Sequence, residues 1–244
     1  MNRLIKSEMM RDGKIMGFWC FIIGMTAFIF LTAFTADEKS SIGFINSLLD
    51  ASIIILIMMF AAYITGHGYS QRTNMYEVMM GNRPLKIIIS KCISVGVVIA
   101  SIVSFIIVTG FVVSSLISSK GIGEALPRLI LFIAVLFRAS ITAVLITMSV
   151  RSIGAIALVY FRFMIEMFVV LIYGAMAGNV NEIMETGVGM PRIFNILFYQ
   201  NQLGNILPDG ATAYNIINVI SGFIIAVIFW GTVVYYLYKK KDFK

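Results

Sequence analysis

Long apolar runs separated by short charged clusters make up most of the chain. No charged residue occurs for 22 positions between Lys14 and Asp37, for 21 between Asp50 and Arg72, for 28 between Lys91 and Lys120, or for 29 between Asp209 and Lys239. A helix crossing the hydrocarbon core needs about 20 apolar residues, so each run is long enough to span. Two further runs carry charges within them: Leu129 to Val150 is broken only by Arg138, and Ser152 to about Gly178 holds Arg162 and Glu166. The pattern predicts one all-α integral membrane domain over residues 1–244 with six spans, near 15–36, 51–71, 88–117, 129–150, 153–177 and 214–238. No internal repeat or second domain is marked.

Composition agrees with that pattern. The chain is 59% apolar and only 13% charged, with a mean hydropathy of +0.94, whereas a soluble domain is about 25% charged. A soluble enzyme or a free nucleic-acid binder is excluded, and the net charge of +7 becomes a statement about topology. Six spans put both termini on one side, together with the Arg72–Lys91 loop and the Arg151 turn. That side collects thirteen basic and four acidic residues, a net +9, while the other side carries four basic and seven acidic, a net −3. Lys and Arg are retained in cytoplasmic loops, so the expectation is a multi-pass plasma-membrane protein with both termini cytoplasmic. The first apolar run exceeds the roughly 7 to 15 residues of a signal-peptide core and is expected to be retained. Cys20 and Cys92 are too few for a disulfide framework and lack metal-ligand spacing.

The usual catalytic signatures are missing. No Gly-rich loop ending in Gly-Lys-Ser/Thr is present, so any ATP is hydrolysed elsewhere. His67 is the single histidine and Glu166 the single acid deep in a span, too little for an intramembrane metal site. Gly-x-Ser-x-Gly is also absent. The expectation is a protein that is not an enzyme and binds no cofactor of its own.

The segment YSQRTNMYEVMMGNRPLKIIISK, residues 69–91, is the most informative. Asn74 and Glu77 have capping-box spacing, and Gly81 suits a helix C-terminus. Between them Met75 to Met80 forms a short helix whose apolar load marks a contact surface or a helix lying in the headgroup region. Pro84 then opens the next helix, where its missing N–H costs nothing, and Lys86 and Lys91 sit near lipid phosphates. In MNRLIKSEMMRDGK, Leu4, Ile5 and Met9 can share a helix face while Arg3, Lys6, Arg11 and Lys14 reach phosphates.

Within the bilayer, Arg138 and Glu166 fall near the same depth on adjacent spans. Ionisable groups there cost about 2.5 to 3.5 kcal/mol on insertion scales, which predicts an Arg138–Glu166 ion pair shared by Arg162 one turn away. The trio serves either as glue between two spans or as a polar lining of a path. Gly174 and Gly178 form a small-xxx-small pair that permits close helix approach. The external segment from Gly178 to Asn215 contains RIFNILFYQNQLGNIL with five amides, Asn195, Gln200, Asn201, Gln202 and Asn205. It is too polar to span, so a re-entrant or interfacial helix is expected.

Arg72-Thr73, the apolar Tyr76–Met80 helix, Arg83-Pro84 and Ser90-Lys91 occur in the order found in the permeases of type-2 ABC exporters, and the chain resembles that family. The family often has a Glu a few residues before the Thr; positions 66–71 here are Gly-His-Gly-Tyr-Ser-Gln. The resemblance implies that Arg72, Thr73, Met75, Tyr76, Glu77, Met79, Met80 and Arg83 couple to cytoplasmic ATPase subunits, which hold ATP and Mg. It also implies an N-terminal elbow helix on the inner leaflet, a hairpin capping the exit, and a second permease copy or paralogue meeting the first and fifth spans, with Gly174 and Gly178 as seam candidates. The implied function is export of an amphipathic peptide, antibiotic or similar compound, a form of antimicrobial-peptide resistance. The rival readings are a non-transporting membrane binding or immunity protein and an ion-driven secondary carrier acting through Arg138, Arg162 and Glu166.

Overall fold

The computed structural model describes residues 2–35, 41–48, 51–70, 83–117, 122–177, 190–209 and 211–241. The described residues are helical apart from short connections, and no strand occurs among them. The helices are α1 (Asn2–Asp12), α2 (Met16–Thr35), α3 (Ser41–Leu48), α4 (Ala51–Ser70), α5 (Pro84–Ile117, a π turn over Cys92–Val97 included), α6 (Ile122–Val150), α7 (Ala155–Ala177), α8 (Met190–Leu197), α9 (Tyr199–Asp209) and α10 (Ala213–Lys241). Five of them, α2, α4, α5, α6 and α10, are long and apolar enough to cross a membrane. The chain is a multi-pass membrane protein. Helix α7 occupies the position of the remaining expected span, with 23 residues and two ionisable groups.

Helix α6 is the axis of the bundle. It runs seven residues earlier than the apolar count suggested, with Pro127 in its first turns, and buries Phe132, Val135, Leu136, Ala139, Ala143 and Val144 against α4, α5, α7 and α10. Helices α2, α7 and α10 lie outside it and keep exposed apolar faces: Met16 is 80% exposed, and Phe161, Phe168, Ile220 and Ile228 are all more than half exposed. Faces of that kind require lipid or protein around them. Inside the bundle, where lipid provides little hydrophobic drive, close packing and hydrogen bonds supply the stability. Gly110 lets α5 approach α2 and α3, since a Cβ there would lie 2.7 Å from Ile29 Cγ2 and 3.0 Å from Phe44 Cζ. Helix α3, unexpected from the sequence, fills this corner with Phe44, Ile45 and Leu48, all fully buried.

Several connections gather at one end of the bundle. Arg151 takes a left-handed conformation, φ 57°, which makes the α6–α7 turn tight. Its guanidinium stacks 4.2 Å from the Tyr238 ring, and the Tyr238 hydroxyl meets that of Tyr69 at the end of α4. Gly66 abuts the same turn; a Cβ would come 2.8 Å from Ile153 Cα. Arg83 is extended, with Pro84 at the first position of α5, as its sequence predicts.

Helix α1 forms as expected but turns another face inward. Glu8 and Asp12, one turn apart, are buried, while Met9 and Met10 are exposed. The Glu8 carboxylate meets Lys91 Nζ and accepts from Ser94 Oγ at 2.7 Å, on the π turn of α5. Lys91 is 1% exposed, so it is a buried partner of α1 and not a lipid-phosphate ligand; Lys86 stays exposed. The carboxylate and ammonium compensate one another, which a buried charge requires. Burial pushes the Asp12 carboxyl above the usual carboxylate range, with the Arg11 guanidinium opposing the rise.

Candidate functional site

Among the described residues, a dense polar cluster lies where α8 and α9 meet α6, α7 and α10. Asparagine and glutamine fall inward on each contributing helix: Asn195 on α8, Asn201, Gln202 and Asn205 on α9, and Asn215 and Asn218 on α10 are all buried. Such groups need partners. Gln202 Nε2 donates to the carbonyls of Ile196, 2.9 Å, and Asn218, 3.1 Å. Asn215 Nδ2 donates to the Asn205 carbonyl at 3.0 Å, and Asn195 Nδ2 to the Tyr214 hydroxyl at 3.0 Å.

Arg138 of α6 is the hub of this cluster. It is 1% exposed, and its guanidinium donates to the carbonyls of Ile196, 3.0 Å, and Leu197, 2.6 Å, and to Gln202 Oε1, 2.8 Å. The two carbonyls belong to the last turn of α8, where unsatisfied C=O groups and the negative end of the helix dipole favour a cation. The Tyr199 ring covers the guanidinium at 4.6 Å. Fixed acceptors and an aromatic face thereby replace the water that an arginine in a bilayer lacks.

The expected direct bridge from Arg138 to Glu166 is not formed. Glu166 pairs instead with Arg162, Nε to Oε1 3.3 Å, one turn below on α7, and its Oε2 accepts the backbone N–H of Tyr199 at 3.2 Å. That N–H opens α9, and a carboxylate at a helix N-terminus is favourable. Arg162 also lies 5.3 Å from the Tyr199 ring. The trio named from sequence does meet in space, but around Tyr199: Arg138 holds the end of α8, and Glu166 holds the start of α9.

Sequence reasoning missed Gly222. A Cβ there would lie 2.2 Å from the Ile196 carbonyl oxygen, 2.5 Å from Arg138 Nη1 and 2.8 Å from Gln202 Nε2, so only glycine admits the cluster against α10. A signal existed: Asn215, Asn218, Gly222 and Ala226, spaced by three and four, share one buried helix face.

Beside the cluster lies a cavity of about 560 Å³ between α6, α7, α10 and the α8–α9 junction. Arg138, Arg162 and Glu166 form its polar end, and Ile146, Leu158, Phe161, Ile225, Phe229 and Trp230 its apolar walls. Among the described residues, no group of three or more His, Cys, Asp or Glu is placed to hold a metal.

The coupling residues Arg72, Thr73, Met75, Tyr76, Glu77, Met79 and Met80 lie outside the described residues, as does Gly178. Arg83 is described and exposed, at the end of the bundle where Tyr69, Arg151 and Tyr238 meet. Gly174 falls within α7.

No family model, curated protein or solved structure matches this chain.

Proposed function

We propose that this chain is the permease subunit of an ATP-driven exporter of the type-2 ABC kind, with ATP and Mg held by separate ATPase subunits. In this reading α7 is the sixth span, both termini face the cytoplasm across the plasma membrane, and two permease copies, or the chain and a paralogue, form the channel. The cargo is an amphipathic peptide, antibiotic or similar compound.

The observation that carries the reading is the gathering of connections at one end of the bundle. The turn at Arg151, the end of α4 and the end of α10 are tied together through Tyr69 and Tyr238, and Arg83 is the N-cap of α5. In the six-span reading that end carries the basic excess, which suits a cytoplasmic contact with an ATPase. Helix α1, clipped by Glu8 to Lys91, suits an elbow on the inner leaflet. The α8–α9 pair, anchored on Arg138 in the middle of α6, suits a hairpin closing the exit; irregular backbone at membrane depth is tolerated where protein surrounds it.

The ion-driven carrier draws on buried Glu166, but its ties to Arg162 and to the Tyr199 N–H favour a structural role. Purification of the tagged chain from its native membrane tests the proposal. An ATP-hydrolysing subunit should accompany it and be lost on changing Met79 and Arg83; active chain with no such subunit overturns the reading.

A further inference from the structure

The cavity beside Arg138 has a long apolar wall and an excess of positive charge at one end. Its volume, about 560 Å³, falls within the roughly 300–1,000 Å³ of small-molecule sites. Phe161, Phe229 and Leu158 line it and are also exposed, so the cavity opens sideways toward the surroundings of α7 and α10. Two guanidiniums face one carboxylate at its polar end. Arg138 is 1% exposed, whereas the Arg162 side chain, which also lines the cavity, is 24% exposed and is the cation more open to it; among the described residues, Arg138 Nε and Arg162 Nη1 are enclosed without an acceptor. One carboxylate balances only one of the two guanidiniums, and the remaining positive charge calls for an anion.

We propose that this cavity binds a single-chain anionic amphiphile, its acidic head on Arg138 and Arg162 and its hydrocarbon tail along Ile146, Leu158, Phe161, Phe229 and Trp230. A neutral amphiphile would leave the excess positive charge unbalanced. A cationic amphiphile would be repelled by the two guanidiniums, and a soluble anion would forgo the apolar wall. The inference draws on the exporter reading only in that the amphiphile is then either cargo or a resident lipid.

Trp230 lines the cavity and the chain has two tryptophans, so Trp19→Phe leaves Trp230 as the sole reporter. The purified full chain, in uncharged detergent, is titrated with a brominated stearate, whose bromines quench a tryptophan they touch. Saturable quenching is expected, displaced by oleate but not by oleyl alcohol. Arg162→Gln should weaken binding about tenfold or more, as expected for loss of a charge-assisted hydrogen bond, and Arg162→Lys should retain most of it. Glu166→Gln, which keeps an acceptor for the Tyr199 N–H, should tighten binding by removing the competing anion, and it decides the matter if Arg162→Gln fails to fold. Non-saturable quenching, equal displacement by oleyl alcohol, or an affinity unchanged in Glu166→Gln would overturn the site. Acceleration by oleate of ATP turnover in the co-purified complex identifies cargo, and binding without acceleration identifies a resident lipid. Because the binding measurement needs no ATPase, its failure is distinct from failure of the exporter reading.

Discussion

Gly222 gives Arg138 its room: a side chain of even one carbon on α10 would lie 2.5 Å from Arg138 Nη1 and 2.2 Å from the Ile196 carbonyl that the arginine holds. Gly222→Ala must therefore push α10 away from the α8–α9 pair or break the Arg138 bonds. Overpacking of this kind costs about 1–3 kcal/mol, and the obstructing atoms here include backbone. Thermal unfolding in detergent should show a clear loss for Gly222→Ala. Gly231→Ala on the same helix has open space around it and should match the parent.

The Glu8–Lys91 pair joins the N-terminal helix to α5 through two buried charges. Removing one partner of a buried pair strands the other, at about 3–5 kcal/mol, whereas removing both is far milder. Lys91→Met should reduce folded yield sharply, and Glu8→Gln in the same chain should restore much of it. A double variant no better than Lys91→Met would show that the pair is not what holds α1.

Glu166, midway along α7, is likewise a buried, paired carboxylate. Because it accepts the Tyr199 N–H and pairs with Arg162, Glu166→Ala should lower the amount of monodisperse protein on size exclusion. Normal yield with transport lost would assign the carboxylate to the transport path instead.

Asp12 supplies a pH signature. Its carboxyl titrates above the ordinary range because burial penalises the charged form, so folding favours the protonated acid. The stabilisation linked to this group is complete below the unfolded value of about 3.9 and fades as pH rises through the folded value. Asp12→Asn should therefore match the parent in melting temperature near pH 4 and exceed it increasingly toward neutrality. The lost contact with neighbouring Arg11, whose side chain is about a quarter exposed, offsets part of this gain.

Charge-free runs revealed four of the long helices directly, because a span must be apolar along its whole length, and Pro84 and the Arg151 turn were legible from local chemistry. The amide-rich segment was read as one re-entrant or interfacial helix; it is helical, but its division into α8 and α9 at Phe198 was not visible. That break exists because Arg138 takes the last carbonyls of one helix while Glu166 takes the first N–H of the next, and neither partner is close in sequence. The same limit misdirected the Arg138–Glu166 pairing: equal depth on adjacent helices brought the residues near each other, yet backbone groups from a third element outcompeted the obvious counter-ion. Glu8, Asp12 and Lys91 were read as solvated or lipid-facing by position, since nothing local marks a carboxylate whose partner lies more than eighty residues on.

The permease reading stands or falls on what touches the segment after α4. In a chain with Cys20 and Cys92 replaced by serine, Met79→Cys is to be cross-linked in native membranes and the adduct identified by mass spectrometry. The expected adduct joins Met79→Cys to a soluble-domain protein carrying a Gly-x-x-x-x-Gly-Lys-Ser/Thr phosphate loop, with a yield that changes when ATP is added. Capture of no such ATPase from Met79→Cys, nor from cysteines placed at Met75 and Arg83 in chains that remain folded, would contradict it.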